Sequence, residues 1–361
     1  MPLSDRPLRS AHGGLPLREL AQLGIDPSRV LDLSTSLSPL AAHPSVLRAI
    51  RDSNVHAYPD PTCAAAKAAV ARAASVHVSS IVLGHGSVEL LWSLVRELAA
   101  ADEPGKPLLT ASPTFSEAEA AARAFGIHAL RVTMSEQTGF AVDAERIADA
   151  IAWHLPFAVY ICQPNNPTGA ALPRPLLTDL IASHPRVVFI VDEAFLSLSE
   201  LHLDAAVRLP PNAVRVRSLT KDHGLAGLRV GYAIAAPELV ERIELSRPPW
   251  MISAPAQAAI IAAMGALDHV AAVRGELLAH KAALIDELTA LGIETVPSKA
   301  SFFLAKVHSA DALRARLLSD YGVLVRSCSS FGLHQHVRLP ACLPDARARL
   351  VGALAAILED A

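Results

Sequence analysis

Short apolar runs alternate with longer, mixed stretches along the middle of the chain. Between residues 81 and 234, runs rich in Val, Ile and Leu are separated by Ala/Leu/Glu stretches in which apolar residues recur at helical spacing. The predicted strands are 81–83, 107–110, 128–132, 157–162, 187–191, 213–216 and 230–234, and the predicted helices are 88–100, 116–125, 144–153 and 174–183. This alternation is typical of an α/β fold in which helices cover both faces of a mostly parallel sheet.

The pattern changes after Pro255. Two long helices, 256–266 and 270–291, are followed by short strands at 302–307, 323–326 and 337–339 and by a last helix from residue 345. This order predicts a second, smaller α+β domain. We therefore expect residues 1–50 to form an N-terminal arm and part of the small domain, residues 51–250 a large domain, and residues 251–361 the rest of the small domain.

Composition and charge narrow the possible partners. The 361 residues contain 32 Lys+Arg and 35 Asp+Glu, a formal net charge of −3, with no basic run. We therefore expect neither nucleic acid nor an acidic membrane surface as a partner. The 20 residues 248–267 carry no charge, but their three prolines predict a loop followed by a buried helix and not a membrane span.

Cysteine and histidine usage indicates a reducing compartment and no metal. The chain has four cysteines without Cys-x-x-Cys spacing, at positions 63, 162, 328 and 342. Such cysteines are typical of small buried side chains in the cytoplasm, where we expect this protein because its N-terminus has no apolar secretory segment. His334 and His336 have no nearby Cys or carboxylate, so we predict no metal site.

Polar residues follow several predicted strands, at the sheet edge where ligands of parallel sheets bind. Residues 84–87, Gly-His-Gly-Ser, lie between a strand and a helix and suit a phosphate, although a plain turn with Ser87 as helix cap fits equally well. Strand 157–162 ends in a proline-bounded turn that carries Asn166. Strand 187–191 delivers Asp192, which must be paired or hydrogen-bonded if buried and could equally be a structural ion-pair partner.

A lysine completes this set. Only six lysines occur in the chain, and Lys221 alone follows a predicted central strand, where partial burial would make its amine nucleophilic. Arg229 lies eight residues further on. Pyridoxal 5′-phosphate requires such groups, namely a lysine for covalent attachment, a carboxylate for its ring nitrogen and donors for its oxygen and phosphate.

These motifs resemble those of fold type I pyridoxal-phosphate enzymes, specifically the histidinol-phosphate aminotransferase group. The resemblance is carried in order by 84–87, by Asn-Asn-Pro-Thr-Gly at 165–169, by Asp-Glu-Ala-Phe at 192–195, by Ser218-x-x-Lys221 and by Gly-Leu-Arg-x-Gly-Tyr at 227–232. It implies a homodimer with a large domain, a small domain and bound pyridoxal 5′-phosphate. Within the group, stretches near both ends are most similar to the L-threonine-O-3-phosphate decarboxylases of cobalamin biosynthesis.

The resemblance also implies residue roles. Lys221 would hold the cofactor covalently, Asp192 would pair with its ring nitrogen, and Asn166 would bind its 3-oxygen. The further cofactor contacts expected are Gly86, Ser87, Val88, Phe115, Ser218 and Arg229, with Tyr58 reaching the phosphate from the partner subunit.

Substrate and reaction are predicted from the same resemblance. The substrate is expected to be a small amino acid carrying a phosphate, held by His12, Ser36, Arg326 and Arg338. Phe195 stands where aminotransferases of the group carry Tyr. This substitution favours decarboxylation of threonine phosphate, with transamination of histidinol phosphate as the alternative. A third enzyme hypothesis is a lyase or cyclase of secondary metabolism on the same scaffold. A non-catalytic binding protein is the hypothesis of a different class, and the intact Lys221, Asp192 and Arg229 argue against it.

Overall fold

The computed structural model describes residues 12–360, and its larger sheet arises from the alternating region. Seven strands lie in the spatial order β2-β8-β7-β6-β5-β3-β4. Their bounds are β2 Ile81–His85, β3 Leu108–Ser112, β4 Ala129–Thr133, β5 Ala158–Cys162, β6 Val188–Asp192, β7 Ala213–Ser218 and β8 Val230–Ile234. Neighbouring strands are parallel except at β8, which runs antiparallel to β7 and to β2. The predicted α/β fold is confirmed.

Helices cover both faces of this sheet because its strands are apolar on both sides. Their bounds are α4 Gly86–Ala100, α5 Glu117–Ala124, α6 Ala144–His154, α7 Arg174–Ala182 and α9 Pro237–Leu245, and the four-residue helix α8 is Leu219–Asp222. Successive residues of β5 alternate between the two faces: Tyr160 packs in the cluster under α4, α5 and α9, whereas Val159 and Ile161 pack in the cluster under α6 and α7. The two-residue period of strands thus builds two cores from one sheet.

The second sheet joins the two ends of the chain. Its strand order is β1-β10-β11-β9, with β1 Leu31–Leu33, β9 Phe302–Lys306, β10 Val323–Ser327 and β11 His336–Pro340. β1 pairs in parallel with β10, and the other pairs are antiparallel. The N-terminal region therefore contributes β1 to the small sheet, although β1 and its partner β10 are almost 300 residues apart in the sequence.

The remaining helices surround these two sheets. They are α1 Leu17–Leu23, α2 Pro44–Arg51, α3 Ala64–Ala74, α10 Ala254–Met264, α11 Leu267–Ala290, α12 Ala310–Tyr321 and α13 Pro344–Glu359. Among residues 12–360 no single helix is both long and apolar enough to cross a membrane, although α10 and α11, bent by 79° at their junction, pass together on length and composition. Over the same described residues, no group of three or more His, Cys, Asp or Glu side chains is placed to hold a metal ion.

Candidate active site

The ends of the large sheet's strands and residues of the small sheet enclose one cavity of about 330 Å³. All of the predicted site residues line it except Gly86 and Tyr58. The predicted residues that line it are His12, Ser36, Ser87, Val88, Phe115, Asn166, Asp192, Ser218, Lys221, Arg229, Arg326 and Arg338. The polar residues that follow the predicted strands therefore lie around one cavity, because the carboxyl ends of β5, β6 and β7 meet at one edge of the sheet.

Lys221 lies in the short helix α8, directly after β7. Its amine donates to Thr220 Oγ1 at 3.2 Å and lies 5.4 Å from the centre of the Phe195 ring. Burial lowers the pKa of Lys221, while Asp192 opposes that shift. An amine with a lowered pKa is deprotonated more often and is therefore a better nucleophile.

Asp192 ends β6 and is almost completely buried. Its Oδ1 accepts a hydrogen bond from the Ala194 amide at 3.1 Å, and its Oδ2 accepts one from the Tyr160 hydroxyl at 2.9 Å. Burial raises the pKa of Asp192, and the two donors and the charge of Lys221 oppose that rise. A carboxylate held in this way beside a cavity suits a cationic ring nitrogen, which would compensate its buried charge.

The start of α4 forms a phosphate-sized cradle together with α8 and Arg229. Gly86 has a φ of +79°, which favours glycine, and a Cβ there would lie 2.7 Å from the Arg229 guanidinium and displace it. Ser87 lines the cavity at the start of α4, and the Ser218 and Thr220 hydroxyls are 2.6 Å apart. Hydroxyls, a guanidinium and a helix N-terminus together fit the phosphate of the cofactor.

Arg338 links the two sheets across the cavity floor. Its Nη1 donates to Asn166 Oδ1 at 2.5 Å and its Nη2 to the Ser34 carbonyl at 2.9 Å, while its Nε has no hydrogen-bond partner among the described residues. Burial lowers the pKa of Arg338 to about 10. Because the Asn166 oxygen is occupied by Arg338, its amide N–H groups remain for a ligand oxygen such as that of the cofactor ring.

Arg326 stands directly opposite Arg338 on the neighbouring antiparallel strand. Both side chains are buried and both line the cavity. Arg326 donates to Ser330 Oγ at 2.8 Å and lies 5.3 Å from the Phe331 ring centre. Two buried arginines therefore share one wall of the site.

The opposite side of the cavity holds His12 and Phe115. The two rings are 5.6 Å apart, and His12 Nε2 lies 2.7 Å from Glu117 Oε1. Glu117 is buried and also accepts a hydrogen bond from Trp92 Nε1 at 2.8 Å. Residues 1–11, which precede His12, lie outside the described part of the chain.

Two predicted site residues do not line the cavity, and two residues at or behind its wall were not predicted. Gly86 lies behind Arg229. Tyr58 is 82% exposed, and its ring centre lies 4.9 Å from that of Trp250, with the two rings tilted by 34°. Sequence reasoning did not single out Thr220, although it is adjacent to Lys221. It also missed Tyr160, because a tyrosine inside an apolar strand looks like a core residue until the neighbouring strand is known.

Known proteins show the same architecture. The family model for class I and II aminotransferases matches residues 28–354. The chain is 34% identical over 359 residues to histidinol-phosphate aminotransferase 1 of Thiobacillus denitrificans, covering 96% of this chain and 91% of that one.

Solved structures agree in fold. The histidinol-phosphate aminotransferase of Sinorhizobium meliloti in complex with pyridoxal-5′-phosphate superposes with a TM-score of 0.85 at 24% identity, covering 98% of this chain and 97% of that one. The L-threonine-O-3-phosphate decarboxylase of Porphyromonas gingivalis superposes with a TM-score of 0.75 at 25% identity, covering 91% of this chain and 99% of that one. From the extent of these matches and the fit of its cavity, the chain belongs to the class I and II aminotransferase family and is a pyridoxal 5′-phosphate-dependent enzyme.

Proposed function

We propose that this protein is a histidinol-phosphate aminotransferase, which transfers the amino group of L-histidinol phosphate to a 2-oxo acid. The relative that is 34% identical to this chain is a histidinol-phosphate aminotransferase, and the alignment covers 91% of its length. The decarboxylase favoured by the sequence expectation has thinner support, since its similarity is structural, with a TM-score of 0.75. The comparisons thus favour the alternative over the leading sequence-based prediction.

The observation that carries the proposal is the facing pair Arg326 and Arg338. Like charges directly opposite on neighbouring strands are destabilising, and burial increases the cost. A phosphate group placed between the two guanidiniums would offset this repulsion, because its oxygens accept bidentate hydrogen bonds. Histidinol phosphate carries such a dianion, and a dicarboxylic amino acid carries two anionic groups for the same two arginines in the return half of the reaction.

The contact between Arg338 and Asn166 supports proton removal over loss of a carboxylate. An anionic group held by Arg338 would lie beside Asn166, which we propose contacts the ring edge. A carboxylate bound by Arg338 would be retained by charge-assisted hydrogen bonds, which would leave the Cα proton as the group for Lys221 to remove. L-Histidinol phosphate itself has no carboxylate to lose.

The remaining groups of the site would bind the cofactor or transfer protons. The cofactor, when bound, supplies a ring that withdraws electrons from the substrate Cα. We propose that Lys221 Nζ would take the proton from the substrate Cα and then give it to the cofactor carbon on the other side of the amino nitrogen, as its lowered pKa allows. Ser87, Ser218 and Arg229 would hold the cofactor phosphate, and Phe115 would cover the ring.

We also propose that two copies of the chain form the working enzyme, with Tyr58 completing the partner's phosphate site. Tyr58 does not line the cavity of its own subunit. Its ring is 82% exposed, and the adjoining Trp250 ring is 47% exposed, which leaves an aromatic pair at the surface. Exposed aromatic pairs are typical of protein interfaces.

The test is to mix the holoenzyme with L-histidinol phosphate or with L-threonine O-3-phosphate, each with and without 2-oxoglutarate. We expect histidinol phosphate to convert the bound cofactor to its amine form, and 2-oxoglutarate to restore the original spectrum with release of glutamate. Carbon dioxide release from threonine phosphate, independent of 2-oxoglutarate, would instead establish the decarboxylase.

A further inference from the structure

Tyr160 is a polar residue inside an otherwise apolar core. It lies on β5, is fully buried, and packs in the cluster of side chains under α4 and α5. A phenylalanine would fill the same volume without a hydroxyl that needs a partner. The hydroxyl therefore requires an explanation beyond packing.

The hydroxyl points at the carboxylate of the adjacent strand. Asp192 pairs in register with Cys162, two residues after Tyr160, so the tyrosine reaches Asp192 diagonally across two parallel strands. Its oxygen lies 2.9 Å from Asp192 Oδ2, and the phenol is the donor because an ionised carboxylate only accepts. The contact is formed within the large sheet, behind the cavity wall.

We propose that Tyr160 is a positioning residue that holds Asp192 ionised and aimed at the ring nitrogen of the cofactor. This inference rests on the proposed placement of Asp192 against that nitrogen. The hydroxyl occupies Oδ2 and the Ala194 amide occupies Oδ1, so the carboxylate cannot rotate without losing a hydrogen bond. Rotation in a dry site costs the full penalty of the unpaired group.

Electrostatics around Asp192 point the same way. Burial raises the pKa of Asp192, and the Tyr160 hydrogen bond is the strongest influence that lowers it, ahead of the Ala194 amide and the charge of Lys221. The neighbouring Glu193 raises that pKa further. Burial, reinforced by the charge of Asp192, raises the pKa of Tyr160 itself well above its ordinary value, so the phenol stays a donor.

The first experiment compares Tyr160→Phe with Tyr321→Phe, which removes the same atom from α12, away from the cavity. We expect Tyr160→Phe to weaken cofactor binding to the apoenzyme about tenfold, as loss of a hydrogen bond to a charged group predicts. Because a positive ring nitrogen lowers the proton affinity of the rest of the cofactor, we also expect the pH midpoint of its visible absorption band to rise, by up to about one unit. Equal values for both variants would overturn the proposal.

A cofactor analogue separates positioning from packing. When the ring nitrogen is replaced by carbon, Asp192 has no cation to hold, so Tyr160→Phe should no longer change the affinity. If the variant loses affinity for the analogue as much as for pyridoxal 5′-phosphate, the hydroxyl only supports the fold and the inference is wrong.

Two further arms keep the outcome decisive. If Asp192→Ala binds the cofactor as tightly as the wild type, the proposed placement of Asp192 against the ring nitrogen is wrong. If Asp192→Ala binds the cofactor more weakly but Tyr160→Phe binds it normally, only the inference about Tyr160 is wrong. If Tyr160→Phe does not fold, replacement of Tyr160 alone by 3-fluorotyrosine, a more acidic phenol of nearly the same size, should shift the midpoint downward. An unchanged midpoint would contradict the proposal.

Discussion

The two walls of the cavity are prepared to different degrees. On the large-sheet wall, two groups already have partners within the protein: both oxygens of Asp192 are hydrogen-bonded, and the Ser218 hydroxyl pairs with that of Thr220. On the small-sheet wall, Ser36 Oγ and Arg338 Nε are buried without a hydrogen-bond partner among the described residues. The protein thus holds Asp192 and Ser218 of the proposed cofactor wall by its own hydrogen bonds, whereas Ser36 and Arg338 of the proposed substrate wall keep polar atoms for a ligand.

The unpartnered polar atoms of the proposed substrate wall lower the stability of the ligand-free protein. A buried polar atom without a partner costs about 1–3 kcal/mol, which a correctly placed ligand group recovers on binding. A site that keeps one cofactor permanently gains from being rigid. A site that must accept two different substrates in turn gains from contacts that form only when each substrate is present.

Removing the lysine of the prepared wall should have the largest effect. We expect Lys221→Ala to reduce turnover by about a thousandfold or more, because both the covalent attachment and the proton carrier are lost. The visible absorption of the lysine-bound cofactor should disappear as well. The matched control is Lys306→Ala, whose side chain is 42% exposed and pairs with Glu136. A Lys221→Ala enzyme with normal turnover would exclude the proposed role.

The same wall is supported from behind by a buried ion cluster. Glu193 is fully buried, and its Oε1 accepts from Arg174 at 2.9 Å, while its Oε2 accepts from Arg215 at 2.9 Å and Arg217 at 2.6 Å. We expect Glu193→Gln to lower the free energy of unfolding by about 3–5 kcal/mol, because it leaves buried guanidiniums uncompensated. Urea unfolding of the apoenzyme measures this, with the exposed Glu103→Gln as control, and a loss below 1 kcal/mol would contradict the expectation.

The cluster also predicts a pH dependence. Burial raises the pKa of Glu193, but Arg217, Arg215 and Arg174 outweigh burial and leave that pKa below its ordinary value. A carboxyl with a lowered folded-state pKa contributes stability above its unfolded value, about 4.3, and loses that contribution as the pH falls through the folded value. The wild-type and Glu193→Gln unfolding curves should therefore converge in acid, and a constant gap at all pH values would be inconsistent with this.

A substitution in the small-sheet wall should affect substrate binding more than cofactor binding. We expect Arg338→Ala to reduce kcat/KM for the phosphorylated substrate about a hundredfold, because hydrogen bonds between charged groups are lost. Cofactor affinity should change far less. Arg316→Ala, which removes a partly exposed arginine paired with Asp360, is the control. Equal losses of substrate and cofactor binding would rule out the proposed substrate role of Arg338.

Two serines give the smallest and most discriminating test. Ser36→Ala removes an unpartnered hydroxyl, so we expect equal or slightly higher stability, by up to about 1 kcal/mol, together with a few-fold loss in kcat/KM. Ser218→Ala removes a partnered hydroxyl and should lower both stability and cofactor affinity. Thermal unfolding and steady-state kinetics of the two variants measure this, and identical behaviour would abolish the distinction between the walls.

Much of the fold was predictable because it depends on local patterns. The seven strands of the large sheet were all predicted, with boundaries within two residues, since each is a short apolar run between turn residues. The helices α1, α2, α3, α8, α9 and α12 were not predicted. The Ala-rich α3, for example, has little contrast between its faces, so spacing alone gives a weak signal.

The sequence by itself determined the class of fold and predicted that Lys221, Asp192 and Asn166 lie together at the strand ends, because residue type and position after each apolar run indicate both. Only the tertiary structure decided which strand runs antiparallel, that Arg326 faces Arg338, and that Tyr160 holds Asp192. These are contacts between segments far apart in the sequence or on different strands. Period and propensity describe one strand at a time, whereas register and packing between strands select the partners.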